Sequence, residues 1–203
     1  IRNKILNSDV VLSDLDDCLL PSPAKKLAYH KLRGTEIFDP FFAYWAIRTF
    51  FRLIREDGKK FESQCWQEYI ERFLSTDEEC EDAKLLVEQM LESGKLKLYP
   101  GIRELYDNLK DKYKICITRN IVDIALIFQN LLELNQVVSQ QFNKEREVER
   151  FVKEHPGFKR YFLLGDSTED EEALGVLTNC KNRKNSHIED VISCYNATSH
   201  RRL

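Results

Sequence analysis

No two cysteines of this sequence stand in a Cys-x-x-Cys pair; Cys18, Cys65, Cys80, Cys116, Cys180 and Cys194 are scattered. That spacing argues against a zinc site or a disulfide framework, and reduced, mostly buried thiols are expected. There is no basic excess either. Lys and Arg number 31 against 34 Asp and Glu, net charge is −3 and the pI is about 5.9, so no global field favours nucleic acid. No apolar run approaches the ~20 residues of a membrane span. Ile1–Leu6 lacks the long apolar core of a secretory signal, and the leading Ile, in place of Met, is expected of a trimmed or processed chain. The sequon Asn196-Ala197-Thr198 then reads as accidental, and a cytoplasmic location is expected. What remains is 203 residues, 42% hydrophobic and 32% charged, which suits one globular domain, or one core with a modest insertion.

Two kinds of pattern alternate in the outer parts of the chain. Val10–Leu15, Lys114–Thr118, Gln136–Ser139 and Tyr161–Leu164 are short apolar runs that read as strands, Gln136–Ser139 being the weakest signal. Ile102–Lys110, Ile121–Leu132 and Lys144–Glu154 carry helical periodicity between the later ones. Strand–helix–strand repetition implies a parallel sheet with right-handed crossovers. Tyr99-Pro100-Gly101 is a turn and helix-entry signal.

Residues 36 to 93 differ: they read as three consecutive helices with no strand. Phe38, Phe41, Phe42, Trp45, Thr49 and Leu53, with Ile54 beside them, form one apolar stripe. Trp66, Ile70, Phe73 and Leu74 form a second, and Cys80, Ala83, Val87, Met90 and Leu91 a third, with Thr76 or Asp77 placed to cap it and Gly94 to end it. Their aromatics are expected to make the core of an all-helical insertion, with Pro21–Arg33 and Lys95–Tyr99 as linkers. Pro21-Ser22-Pro23 favours an extended exit.

Asp14 and Asp16 bracket Leu15 at the end of the first apolar run. Two carboxylates so close repel each other and gain affinity for a divalent cation or a proton, and open α/β sheets place ligands at that strand end. An Asp-capped turn is the plainer reading of either residue. Thr118-Arg119-Asn120 follows the second run, Lys144 opens a charged helix, and Gly165-Asp166-Ser167-Thr168-Glu169-Asp170 follows the last run. Ser167 or Thr168 with Asp170 or Glu171 also resembles a capping box.

The order Asp-x-Asp, Thr, Lys, Gly-Asp-x-x-x-Asp resembles the haloacid dehalogenase (HAD) superfamily, its phosphatase branch above all, over residues 8 to 20 and 98 to 175. The resemblance implies an α/β fold: a three-layer Rossmann-like parallel sheet core, residues 1–21 and 98–203, with an inserted all-helical cap of the first type at 22–97. It implies that Asp14 is a nucleophile forming an aspartyl-phosphate, and that Asp16 is the acid and then the base. Thr118 and Lys144 would hold the phosphoryl group. Mg²⁺ would be bound by Asp14, the Asp16 carbonyl and Asp166, with Asp170 on the ion or its waters. Asp16 favours phosphate esters over haloacids, since halide needs no leaving-group proton. Cys18 departs from the usual Thr or Val and is expected to pack without altering mechanism.

Lys153 rivals Lys144, roughly 13 Å farther along one helix; Asn143 could cap that helix and hold Lys144 in its first turn. Arg119 and Asn120 are the candidate substrate contacts. Lys25, Lys26, His30, Lys31 and Arg33, and likewise Arg48, Arg52 and Arg55, read as solvated charge. Asp17 has no assignment. The expectation is a Mg²⁺-dependent hydrolase of a small phosphorylated metabolite, with no nucleic-acid or membrane partner and no indication of oligomeric state. A phosphomutase and a non-catalytic phosphate- or metal-binding regulatory protein are the alternatives. A response-regulator receiver fits less well, needing neither the final acidic motif nor a helical insertion.

Overall fold

Apolar strands that must be covered on both faces need helices on both sides, and the chain supplies them. The computed structural model describes residues 2–34, 39–55, 58–140, 143–183 and 186–195. Phe38, the sequon at Asn196 and the side chains of Leu53, Ile54 and Arg55 lie outside what is described. Two compact units emerge, one formed by Ile1–Pro21 with Lys97–Leu203, the other by Ser22–Leu96.

The first unit holds five parallel strands in the order β3-β2-β1-β4-β5, where β1 is Val10–Ser13, β2 Tyr113–Ile117, β3 Gln136–Val138, β4 Arg160–Gly165 and β5 Asp190–Tyr195. All four residues of β1 are buried, as a central strand requires. Its alternating sides meet different layers. Val10 and Leu12 join Ile115, Ile117, Tyr161 and Leu163 in one core with Val148, Phe151 and Val152 of α8 (Lys144–Glu154) and Ala173 and Leu177 of α9 (Thr168–Lys181). Ser13 faces the other way, where Tyr106 of α6 (Ile102–Asn108) donates to its Oγ at 2.8 Å. α7 (Val122–Leu131) packs beside β3. Gln136–Val138, the weakest strand signal, does pair in parallel with β2. β5 and α1 (Arg2–Leu6) add to the elements that the apolar patterns predict.

The second unit is helical throughout, and it corrects the expected linker. Residues 23–33 form α2 (Pro23–Arg33), with Ser22 as N-cap accepting from the Lys25 N–H. Proline with its fixed φ is ordinary in a first helical turn, so Pro23 starts a helix where an extended exit was expected. α3 (Pro40–Arg55), α4 (Gly58–Phe73) and α5 (Asp77–Glu92) follow. Thr76 and Glu79 close a capping box on α5. Phe42, Trp45, Tyr69 and Phe73 pack with ring centroids 5.3–5.7 Å apart. Phe41 is a second correction: it was expected in that core but is 80% exposed. Adjacent helical residues point about 100° apart, so Phe41 and Phe42 cannot both face α4.

The bottom edge of the sheet is tied by Asp9, whose carboxylate accepts from the Lys159 and Arg160 backbone N–H groups and pairs with the Arg160 guanidinium at 2.7 Å. Burial raises its pKa, but those hydrogen bonds and the Arg160 charge hold it below the ordinary value. A depressed carboxylate stabilises the fold above its unfolded pKa, and that contribution fades as pH falls through the folded value. Asp9→Asn is therefore expected to cost about 1 kcal/mol at neutral pH, after allowance for partial exposure, and almost nothing near pH ~2. Urea melts at both pH values check this; an equal loss at both would show the bond's worth to be independent of charge.

Candidate active site

Hydrogen bonding in the sheet runs one residue past the strands. The Asp14 N–H donates to Leu164 O at 3.1 Å and the Thr118 N–H to Val138 O at 2.9 Å. Both side chains therefore stand at the carboxyl edge, just beyond β1 and β2. After Asp14 the chain reverses tightly: Leu19 N bonds back to Leu15 O, and Asp17 adopts φ +56°. Asp tolerates that left-handed conformation better than most residues, which gives the unassigned Asp17 a place in the turn. Cys18 is buried beside it, and burial pushes its thiol pKa far up. It packs as expected, and burial disfavours its thiolate.

Lys144 is the hub. Its ammonium lies 2.7 Å from Asp14 Oδ2 and 2.8 Å from Asp170 Oδ1, with all three side chains nearly sealed from solvent. Asn143 caps α8 by accepting from the Arg146 N–H at 2.9 Å, leaving Lys144 in the first turn. A cation there opposes the helix dipole; the two carboxylates compensate. Lys153, the rival, is 65% exposed and pairs with Glu149.

Asp170 works at both ends. Its Oδ2 accepts from the Asp166 and Ser167 N–H groups at 3.1 and 3.0 Å and from Ser167 Oγ at 2.6 Å, closing a capping box on α9. Cap and charged cluster are therefore one arrangement. Gly165 is what permits it: a Cβ there would overlap Asp170 Cβ and lie 2.6 Å from its Cγ.

Carboxylate oxygens of Asp14, Asp166 and Asp170 lie within 4.8 Å of one another. One ammonium cannot balance three such groups. Burial, reinforced by Asp170, lifts the Asp166 pKa to about 7 despite Lys144. Burial likewise raises Asp14, with Lys144 opposing and Asp170 and Asp16 adding to the rise. Asp170 goes the other way: burial raises it too, but the Lys144 charge and the cap hydrogen bonds outweigh that. The proton therefore sits more readily on Asp14 or Asp166, and a divalent cation would relieve both. Three hard oxygen donors suit Mg²⁺ in kind. Asp170 already accepts from Lys144 and the cap, and Asp14 from Lys144 and from the Leu15 N–H at 2.7 Å, so a cation here would share those carboxylates with their present donors.

Asp16 is not one of the three. Its Oδ2 accepts from Thr118 Oγ1 at 3.2 Å and from the Asn120 carboxamide. Asn120, foreseen as a substrate contact, is thus turned onto Asp16. Arg119 pairs with Glu169 at 2.7 Å, joining the second and last motif segments. Sequence reasoning passed over Glu169; its signal was a carboxylate inside the last motif. It also missed the Tyr106–Ser13 bond, for which the sequence carries no signal.

No protein-family model matches the chain, and no curated protein matches it in sequence. Solved structures do. A protein of unknown function from Bordetella pertussis Tohama I superposes with a TM-score of 0.60 at 13% identity, covering 90% of this chain and 97% of that one. A HAD family hydrolase from Salmonella enterica serovar Typhi gives 0.55 at 11%, covering 82% of this chain and 59% of that one. The chain has the HAD hydrolase fold. In that fold the Asp14, Thr118, Lys144 and Asp166 segments meet at the carboxyl edge of one parallel sheet, as described above. No helix among the described residues is long and apolar enough to cross a membrane.

Two stability predictions follow from the packed charges. Lys144→Met strands buried carboxylates, a kind of change that costs about 3–5 kcal/mol. In metal-free buffer the loss should be largest above pH about 8, the value to which Asp14 is raised, and shrink on acidification through it as Asp14 takes a proton; a pH-independent loss would assign it to packing. Gly165→Ala should cost about 1–3 kcal/mol through overpacking against Asp170, read as a lowered denaturation midpoint, whereas an unshifted midpoint would mean the cap can move aside.

Proposed function

We propose that the chain is a Mg²⁺-dependent phosphomonoester hydrolase that acts on a small phosphorylated molecule through an aspartyl-phosphate. The observation that carries this reading is Lys144 held between Asp14 and Asp170, with Asp166 completing the acidic cluster. In that setting a carboxylate can approach an anionic phosphate without prohibitive repulsion. Mg²⁺, when bound, would supply the further positive charge that draws the phosphate and Asp14 together. Asp14 and Asp166 would hold it, with the Asp16 carbonyl, and Asp170 would fix its waters.

Asp14 would attack phosphorus, forming the acyl phosphate as the ester P–O bond breaks, while Asp16 gives its proton to the departing alkoxide. Asp16 would then take a proton from the water that cleaves the acyl phosphate, releasing inorganic phosphate, freeing the Asp14 carboxylate and returning Asp16 to its protonated form. Thr118 would turn its hydroxyl from Asp16 to a phosphoryl oxygen, beside the Lys144 ammonium. Arg119 is tied to Glu169 and would bound the pocket. The helical unit, Ser22–Leu96, takes the part of the cap that selects the substrate.

The fold also serves dehalogenation, and Asp16 is what favours phosphate. A halide leaves without a proton, so a carboxyl group held by Thr118 and Asn120 beside the nucleophile has work only with an alkoxide leaving group. Phosphate release from a panel of phosphate esters, and chloride release from 2-chloroacids, should be compared with and without Mg²⁺. Metal-dependent phosphate release is expected, abolished in Asp14→Asn and lowered about 10²-fold or more in Asp16→Asn, with Mg²⁺ binding retained in the latter. Chloride release without phosphate release would overturn the assignment, as would equal phosphate release by wild type and Asp14→Asn.

A further inference from the structure

Asn120 makes or breaks no bond in the reaction just described, yet its contacts converge on that reaction's proton carrier. It is 1% exposed. Its backbone N–H donates to Thr118 Oγ1 at 3.2 Å, and its backbone carbonyl accepts from the Gln140 N–H at 3.0 Å. The residue is thereby fixed from both sides between β2 and α7. From that anchorage its carboxamide nitrogen donates to Asp16 Oδ2, and it lies 3.4 Å from Thr118 Oγ1. Asp16 itself is half-buried and 104 residues away in sequence, on the tight turn after β1.

A count of donors separates Asn120 from Thr118. A threonine hydroxyl has one proton to give; a carboxamide NH₂ has two. In this structure the Thr118 proton goes to Asp16 Oδ2, beside the Asn120 donor. Once that proton is given to a phosphoryl oxygen, Thr118 can no longer hold Asp16. Asn120 can, because its second donor serves the longer 3.4 Å contact to Thr118 Oγ1 and leaves the first on Asp16. The Asn120 Oδ1 is buried without a hydrogen-bond partner, an unfavourable arrangement that an apolar side chain would avoid. A purely space-filling role would therefore be better served by an apolar side chain such as leucine, which has the same branched skeleton though a larger volume.

We propose that Asn120 is a positioning residue for Asp16: it keeps that carboxyl group aimed at the leaving oxygen while Thr118 is engaged by the phosphoryl group. The inference rests on the hydrolase reading and adds to it a residue that acts through Asp16 without touching the reacting atoms. Its signature is selective. Proton delivery matters most for alkoxides that leave poorly and little for nitrophenolate, so loss of positioning must scale with the basicity of the leaving group. Loss of general folding or of phosphate binding would depress all esters alike.

The test is kcat/KM with Mg²⁺ across a series of aryl phosphates graded in leaving-group pKa, for wild type, Asn120→Leu, Asn120→Ser, Asp16→Asn and the Asp16→Asn/Asn120→Leu pair. Asn120→Leu is expected to lose about tenfold or more on the poorest leaving group and under about threefold on nitrophenyl phosphate. Asn120→Ser, with a shorter donor, should show the same selectivity to a smaller degree and guards against misfolding of the leucine variant. In the Asp16→Asn background, Asn120→Leu should add no further leaving-group dependence. Uniform losses across the series, or a steepening that persists without the Asp16 carboxylate, would overturn the positioning role while leaving the hydrolase intact. A wild-type protein that releases phosphate from no ester would overturn both.

Discussion

One buried ammonium between two buried carboxylates is the constraint around which this edge of the protein is arranged. Lys144 belongs to the first turn of α8, Asp14 to the end of β1 and Asp170 to the first turn of α9. Each of the three would be costly to bury alone. Together they are tolerable, and they fix where two helices begin relative to the central strand. The arrangement remains short of positive charge once Asp166 is counted, which is why burial lifts Asp14 and Asp166 while Asp170 stays low. That residual imbalance is the physical case for a cation.

The last motif shows how closely stability and chemistry are merged. Asp170 satisfies orphan N–H groups at the start of α9 with one oxygen and orients Lys144 with the other. The plain capping-box reading and the functional reading are thus both met by one side chain, since a carboxylate has lone pairs enough for each. Gly165 is part of the same solution, because only a residue without Cβ lets β4 pass so near Asp170. A similar economy holds Asp16, where a threonine and an asparagine two residues apart reach one carboxylate oxygen.

Errors of reading fell where local signals point two ways. Pro21-Ser22-Pro23 can leave a strand in extended form or open a helix; Ser22 as cap and Pro23 in the first turn decided for α2. α3 is apolar around most of its circumference, so periodicity could not say which aromatics face inward, and Phe41, Tyr44, Ile47, Phe50 and Phe51 emerged exposed. β5 contains Asp190 and Ser193 among its apolar residues. An edge strand buries less, and its signal is weaker for that reason.

Read alone, the residues determined the alternation of strand and helix, the helical insertion, and the short list of chemically capable side chains. Those properties depend on apolar periodicity and on carboxylates placed just after apolar runs, both local in the chain. Only the tertiary structure decided that Lys144 and not Lys153 is the cation held between Asp14 and Asp170, that Arg119 turns to Glu169, and that Asn120 holds Asp16. Such choices depend on partners 26, 50 and 104 positions distant. Distance through space is set by how the strands order themselves, β1 between β2 and β4, and no stretch of sequence encodes that order by itself.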